Sequence, residues 1–229
     1  ICLLHVHLNL VPDQSSVLTA QRRARLLASI WVPEPIGGVQ SDYQLLDLIA
    51  FDQNNPNSIM ACVAAARENA RQVREQVSTE MWQQINELYL YVRNSRLDEI
   101  WNDQPGIFPQ AIKQGSHLFQ GITDSTLGHG QGWQFIQVGR YIERVIATAN
   151  LLAVETSALN LDHDTSATSD QYTSWLGLLK SCTAFEAYCK VYTAHLEPRR
   201  VIGYLMLDPE FTHSICFSVR SIQAALDAI

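Results

Sequence analysis

Apolar positions along this chain recur at steps of three and four, and the step-two alternation of a half-buried strand is almost absent. The longest periodic run follows the glycine-punctuated stretch Leu127-Gly128-His129-Gly130-Gln131-Gly132 and continues from Trp133 to about Leu161. Within it Phe135, Gly139, Ile142, Ile146, Ala149 and Leu152 trace one face, which predicts a long helix buried on that side. Arg140, Glu143 and Arg144 fall together on another side, three and four positions apart. Two readings of that trio stay open. It is a solvated Arg–Glu–Arg face, or a polar cluster held inside a bundle with Glu143 neutralising two guanidinium groups.

The same pattern predicts the remaining elements. Residues 1–10 read as the end of a helix that Val11-Pro12-Asp13 breaks, and residues 15–31 as another. Residues 33–38 form a loop by composition, and 43–51 a short helix. Residues 52–58 are a turn, with Asn57 or Ser58 capping a helix to about Gln76. Its apolar face is Ile59, Val63, Ala66, Ala70, Val73 and Val77. Ser78-Thr79-Glu80 recaps the chain for a helix through Met81, Ile85, Leu88 and Val92. Residues 94–106 are mixed and polar, 108–122 are helical in pattern, and 123–126 read as a cap or turn. A polar linker is expected over 161–170, then one helix over 172–192 with a stripe at Trp175, Leu178, Leu179, Cys182, Phe185 and Cys189. A short helix over 199–207, a turn over 208–214 and an amphipathic helix over 214–229 complete the chain. The expected fold is all-α.

Two stretches resemble each other. Ile49-Ala50-Phe51-Asp52 followed by Asn57-Ser58-Ile59 is similar to Leu205-Met206-Leu207-Asp208 followed by His213-Ser214-Ile215, at one offset of 156 positions. Leu3-Leu4-His5-Val6 similarly resembles Leu151-Leu152-Ala153-Val154, and Trp31 answers Trp175. The expected architecture is a single helical bundle of two duplicated halves, roughly 1–106 and 107–229. The counterpart of 133–154 then belongs upstream of Ile1, so the sequence is expected to be incomplete at its start. Its absence is expected to leave an exposed apolar groove.

A chain of 229 residues with 47% hydrophobic positions can bury a substantial core. The net charge of −7 argues against nonspecific nucleic-acid binding. No apolar run approaches the ~20 residues of a membrane span. The five cysteines form no CxxC pair and are odd in number, so neither a zinc site nor a disulfide framework is indicated. They read as small buried residues of a reducing compartment.

There is no Walker A motif, and Gly128-His129-Gly130-Gln131-Gly132 follows no strand, so it reads as a helix-start hinge. The paired Glu-x-x-His elements of a di-iron bundle are absent, no nucleophile–base signature stands out, and no cofactor is indicated. What remains is a polar set: Arg67, Glu68, Asn69, Arg71, Arg74, Glu75 and Glu80 on one stretch, Asp124, His129, Arg140, Glu143 and Arg144 on another. Arg67 and Arg71 repel one another at i,i+4 unless carboxylates or anions sit opposite. Two such helices facing each other would clamp a carboxylate or phosphate bidentately. They would equally serve as an ion-pair network, with Glu143 between arginines of both helices.

Gly139-Arg140-Tyr141-Ile142-Glu143-Arg144, the run Ala66-Arg67-Glu68-Asn69-Ala70-Arg71-Gln72-Val73-Arg74-Glu75, and Ser78-Thr79-Glu80-Met81-Trp82 resemble the bacterial alpha-E domain family. Phe51-Asp52 with Asn55-Pro56-Asn57-Ser58-Ile59, and Leu207-Asp208-Pro209-Glu210-Phe211 with Ser214, are similar to it too, so the resemblance covers essentially the whole chain. Family members usually start with their own Gly-Arg-Tyr-x-Glu-Arg helix, a second copy that this sequence does not contain. The resemblance implies a wholly helical cytoplasmic protein, encoded with or fused to circularly permuted ATP-grasp ligases, transglutaminase-like proteases and N-terminal-nucleophile hydrolases. Two functions follow as expectations. One is an accessory or substrate-presenting module for an ATP-grasp peptide or amide ligase. The other is an enzyme of peptide or amide-bond synthesis or turnover, with Glu143 or Glu80 as acid or base. Self-association stays open.

Overall fold

A computed structural model describes residues 1–9, 16–33, 35, 37–158 and 169–229. Every regular element among them is helical: α1 (Cys2–Asn9), α2 (Ser16–Ser29), α3 (Asp42–Ala50), α4 (Ile59–Gln72), α5 (Thr79–Asn94), α6 (Leu97–Asn102), α7 (Ile107–Thr126), α8 (Gln131–Ala158), α9 (Ser169–Ser181), α10 (Phe185–Tyr192), α11 (Pro198–Leu207) and α12 (Ile215–Asp227). The expected break at Val11-Pro12-Asp13 and most of the linker over 161–170 lie outside the described residues. Those residues gather into two compact units. Ile1, Leu3–Leu27 and Val32–Gly128 form one; Cys2, Ala28–Trp31 and His129–Ile229 form the other.

In the first unit, serines start α3, α4 and α5. The hydroxyls of Ser41, Ser58 and Ser78 accept from the amides of Gln44, Ala61 and Met81 at 3.2, 3.2 and 3.1 Å. Each satisfies one of the amide groups a helix start leaves open. α5 buries Met81, Ile85, Leu88 and Val92, the stripe its pattern predicts. α7 approaches α5 closely at Gly115, where a Cβ would stand 2.9 Å from Leu88 Cδ1. The 94–106 stretch holds a helix its polar composition hides. α6 is anchored by Tyr43, whose hydroxyl donates to Asp98 Oδ1 at 2.6 Å and whose ring meets Trp101 edge-on. α4 ends at Gln72, short of the expected Gln76, and a single 3-10 turn follows over Arg74–Gln76. Val73 leaves the helical region there and is 45% exposed, because the chain is already turning back to start α5.

A buried polar clamp joins α1, α2 and α3. Asp42 Oδ1 accepts from His7 Nε2 at 3.0 Å and from Arg23 Nη1 at 3.2 Å. Arg23 also donates to the carbonyls of Val39 and Gln40. The His7 hydrogen bond, helped by Arg23, holds the Asp42 carboxyl below its usual value of 3.8 against partial burial.

In the second unit, Leu152, Trp175, Leu178, Leu179, Cys182, Tyr188, Val201, Tyr204 and Leu205 form the core. The single helix expected over 172–192 is two. Thr183 takes a φ of 52° and the Ala184 amide bonds back to the Leu179 carbonyl at 2.7 Å, ending α9. The kink turns Tyr188 into the core, where its hydroxyl donates to the His195 carbonyl at 3.0 Å. Burial pushes the Cys182 thiol up to about 12, so it packs as an inert apolar group. α11 opens on Pro198, a residue suited to a first helical turn. Asp208 then accepts from the amides of Glu210 and Phe211, and Ser214 caps α12 by accepting from the Phe217 amide at 3.0 Å. Trp31 and Trp175 do not share an environment: the first is 64% exposed, the second 1%.

The long helix α8 corrects a further expectation. The face through Phe135, Ile142 and Ile146 is exposed, at 61, 44 and 42%, and Gly139 and Ala149 on it are exposed as well. Gln137, Thr148 and Leu152 turn inward instead. Among the described residues no helix is long and apolar enough to cross a membrane.

Two outcomes follow. Ser58→Ala and Ser214→Ala should each lower unfolding free energy by about 1–2 kcal/mol in urea titrations, since both caps are fully buried. The second concerns pH. Asp42's folded pKa lies below its unfolded one, so its stabilisation is present above about pH 3.8 and is lost as pH falls through the folded value. Asp42→Asn should therefore be less stable at neutral pH, and its urea midpoint should fall less than the parent's on acidification below pH 3.8.

Candidate functional site

The candidate polar residues divide between the two units. Arg67, Glu68, Asn69, Arg71, Arg74, Glu75, Glu80 and Asp124 belong to the first; His129, Arg140, Glu143 and Arg144 belong to the second.

In the first unit, α5 packs back along α4, and the two helices leave a groove between them. Arg67 lies in it. Its Nε donates to Asn86 Oδ1 at 2.6 Å, and its guanidinium carbon stands 4.7 Å from the Tyr89 ring centre and 5.6 Å from that of Trp82. Asn86 is itself held, its Nδ2 donating to the Trp82 carbonyl at 2.7 Å. Arg74 also faces Trp82, at 5.5 Å, and donates to the Val77 carbonyl. Arg71 is spent differently. It forms a two-point pair with Glu68 at 2.8 and 2.6 Å, and that contact draws the exposed Glu68 carboxyl down to about 2. The repulsion expected between Arg67 and Arg71 is thus relieved by a carboxylate on the same helix. Asn69, Glu75, Glu80 and Asp124 are exposed. At the far end of the groove, Gln53, Met60, Ala64, Tyr89, Val92 and Arg93 line a cavity of about 360 Å³.

In the second unit, α8 sets its charged residues on different sides. Arg144 is partly buried and donates to the Thr212 carbonyl at 3.2 Å, with its guanidinium 5.3 Å from the Tyr141 ring. One turn on, Thr148 donates to the His213 carbonyl at 3.0 Å. Together they tie α8 to the turn that precedes α12. Burial lowers the Arg144 pKa, with Arg140 adding to the effect and Tyr141 and Glu143 opposing it. Arg140 donates to Gln137 Oε1 at 3.3 Å, and His129 stacks on Trp133 with ring centres 4.1 Å apart. Glu143 is exposed and makes no ion pair among the described residues. It therefore does not neutralise the two arginines of its own helix: a step of one residue turns through about 100°, so Glu143 points away from Arg144, and Arg140, on a nearer side, donates to Gln137 instead.

A family model for a predicted α-helical domain with a conserved ER motif matches residues 2–229. The chain belongs to the Alpha-E family. No curated protein and no solved structure gives a significant match. In this Alpha-E chain Glu143-Arg144 is the one Glu-Arg dipeptide, so the motif has a physical reading here. Its arginine is a clamp between α8 and a turn, and its glutamate is a solvent-facing group beside an apolar face.

Trp82, Asn86, Tyr89 and Arg93 are missing from the sequence-based set. A signal for them exists: they recur at steps of four, three and four on one side of α5, opposite the arginines of α4. That side reads as an ordinary partly buried aromatic face until the helices are paired.

Arg144→Met should cost about 1 kcal/mol of stability, because the Thr212 carbonyl loses a charged donor at an exposed contact. Glu143→Gln should change stability by no more than about 0.5 kcal/mol, as an exposed unpaired side chain does. Urea unfolding of both variants checks the contrast, and a large loss for Glu143→Gln would contradict it.

Proposed function

We propose that this Alpha-E chain is a helical accessory module that docks on an ATP-grasp peptide or amide ligase in the cytoplasm, with a transglutaminase-like protein as a further partner of the same system. The observation that carries the reading is the outward face of α8. Phe135, Gly139, Ile142, Ile146 and Ala149 follow one another at steps of four, three, four and three along four turns. Scattered exposed apolar residues are ordinary, but a continuous helical stripe of them marks a surface that a partner covers. The spacing suits a partner helix lying along α8. Among the described residues nothing lies within 4 Å of where a Cβ at Gly139 would be, so such a helix could approach the backbone.

The identity of the partner rests on the family resemblance. The enzyme reading draws less support, because Glu143 and Glu80 both stand exposed rather than enclosed beside a reacting group. A duplicated origin belongs to the same proposal. The two Asp-led turns, each ending in a fully buried serine cap 156 positions apart, support it.

The test is co-purification of this chain with a circularly permuted ATP-grasp protein from the same source, followed by ATP hydrolysis with and without the chain. The parent should bind and alter turnover. Ile142→Glu should weaken binding by at least about tenfold while melting stays unchanged, since a charge is placed in the middle of the apolar stripe. Undiminished binding by Ile142→Glu removes α8 as the docking face, and no association of the parent removes the proposal.

A further inference from the structure

We propose that the groove between α4 and α5 binds a free carboxylate carried beside an aliphatic side chain, as at the C-terminus of a peptide. The inference concerns this groove alone and does not depend on the partner reading of α8.

Arg67 has the surroundings of a receptor rather than of an ion-pair member. A guanidinium carries five N–H donors, and Asn86 takes the one on Nε. The remaining donors, on the two Nη atoms, have no hydrogen-bond partner among the described residues, and no carboxylate there lies within ion-pair distance. Aromatic rings stand where carboxylates would otherwise be, Tyr89 at 4.7 Å and Trp82 at 5.6 Å. Such rings favour the cation and shed water from it. Arg71, one turn away, shows the contrast: Glu68 already occupies its fork. What Arg67 offers is one open planar edge, and a carboxylate is the planar anion that matches it with two parallel hydrogen bonds. Asn86 is a positioning residue. Held by the Trp82 carbonyl, it presents its oxygen to Nε and so fixes where that edge points.

The rest of the ligand follows from what adjoins Arg67. Tyr89 is shared between Arg67 and the cavity of about 360 Å³, whose other walls include Met60, Ala64 and Val92. A cavity of this size lies at the small end of the range for ligand pockets, roughly 300–1,000 Å³, and its apolar walls suit one aliphatic side chain. Arg93 at the mouth adds positive charge and makes no ion pair among the described residues.

Titration calorimetry on the full chain tests this with N-acetyl-Ala-Ala-Leu as free acid and as amide, N-acetyl-Ala-Ala-Ala as free acid, and inorganic phosphate. The leucine acid should bind, its amide at least about tenfold more weakly, and the alanine acid about tenfold more weakly. Arg67→Lys should weaken the leucine acid by about tenfold with the helical circular dichroism unchanged, because lysine keeps the charge and loses the fork. Ala64→Met, which fills the cavity, should erase the preference for leucine over alanine. Should Arg67→Lys unfold the chain, the acid–amide and leucine–alanine comparisons on the unaltered protein decide the matter. Equal binding of acid and amide, phosphate binding tighter than the acid, or no binding at millimolar concentration overturns the proposal.

Discussion

The first turn of a helix leaves amide groups with no partner inside the helix, and Ser58 and Ser214 begin their helices where water does not reach. Each serine hydroxyl must accept from the amide three residues on, which sets the phase of everything after it. Moving either cap by one residue would rotate the helix through about 100°. In the first unit, the phase set at Ser58 turns Ile59 and Val63 inward and brings Arg67 over the aromatic side of α5. In the second, Ser214 fixes the turn before α12, whose Thr212 and His213 carbonyls then receive Arg144 and Thr148. The groove and the ER clamp both depend on these buried caps.

Period and caps were readable from the sequence alone because they are local. The step of three and four located nearly every helix, and Ser58, Ser78 and Ser214 were visible as caps. The failures are tertiary. α6 exists because Tyr43 holds it, and nothing within 97–102 announces that contact. The break between α9 and α10 turns on Thr183 taking a positive φ, a conformation a threonine does not advertise. On α8 the apolar stripe reads as inward-facing, because apolar faces usually turn to a core. Polar hydrogen bonds from Arg144 and Thr148 oriented that helix the other way.

The arginines show why residue type and spacing under-determine a site. Arg67 and Arg71 are adjacent turns of one helix and identical in chemistry, yet one is saturated by Glu68 and the other is flanked by rings. The difference lies on α5, nineteen positions from Arg67 at Asn86. Glu75 and Glu80, the carboxylates that follow these arginines in the sequence, stand in solvent. Rings cover the faces of the Arg67 guanidinium, and among the described residues only its Nε has a hydrogen-bond partner.

Gly139 interrupts the exposed apolar face of α8 with a position that carries no side chain. Glycine inside a helix costs about 1 kcal/mol relative to alanine, through the backbone freedom it loses on folding. At Gly115 that cost is offset by Leu88, which needs the space of the missing side chain. At Gly139 nothing among the described residues lies within 4 Å of where a Cβ would be, so no contact among them offsets the cost. Ile142 and Ile146 are the next two residues along the same stripe, and their side chains are left to water. A helix laid against this face would meet a notch at Gly139 and ridges at Ile142 and Ile146, and close approach there would gain what folding alone does not.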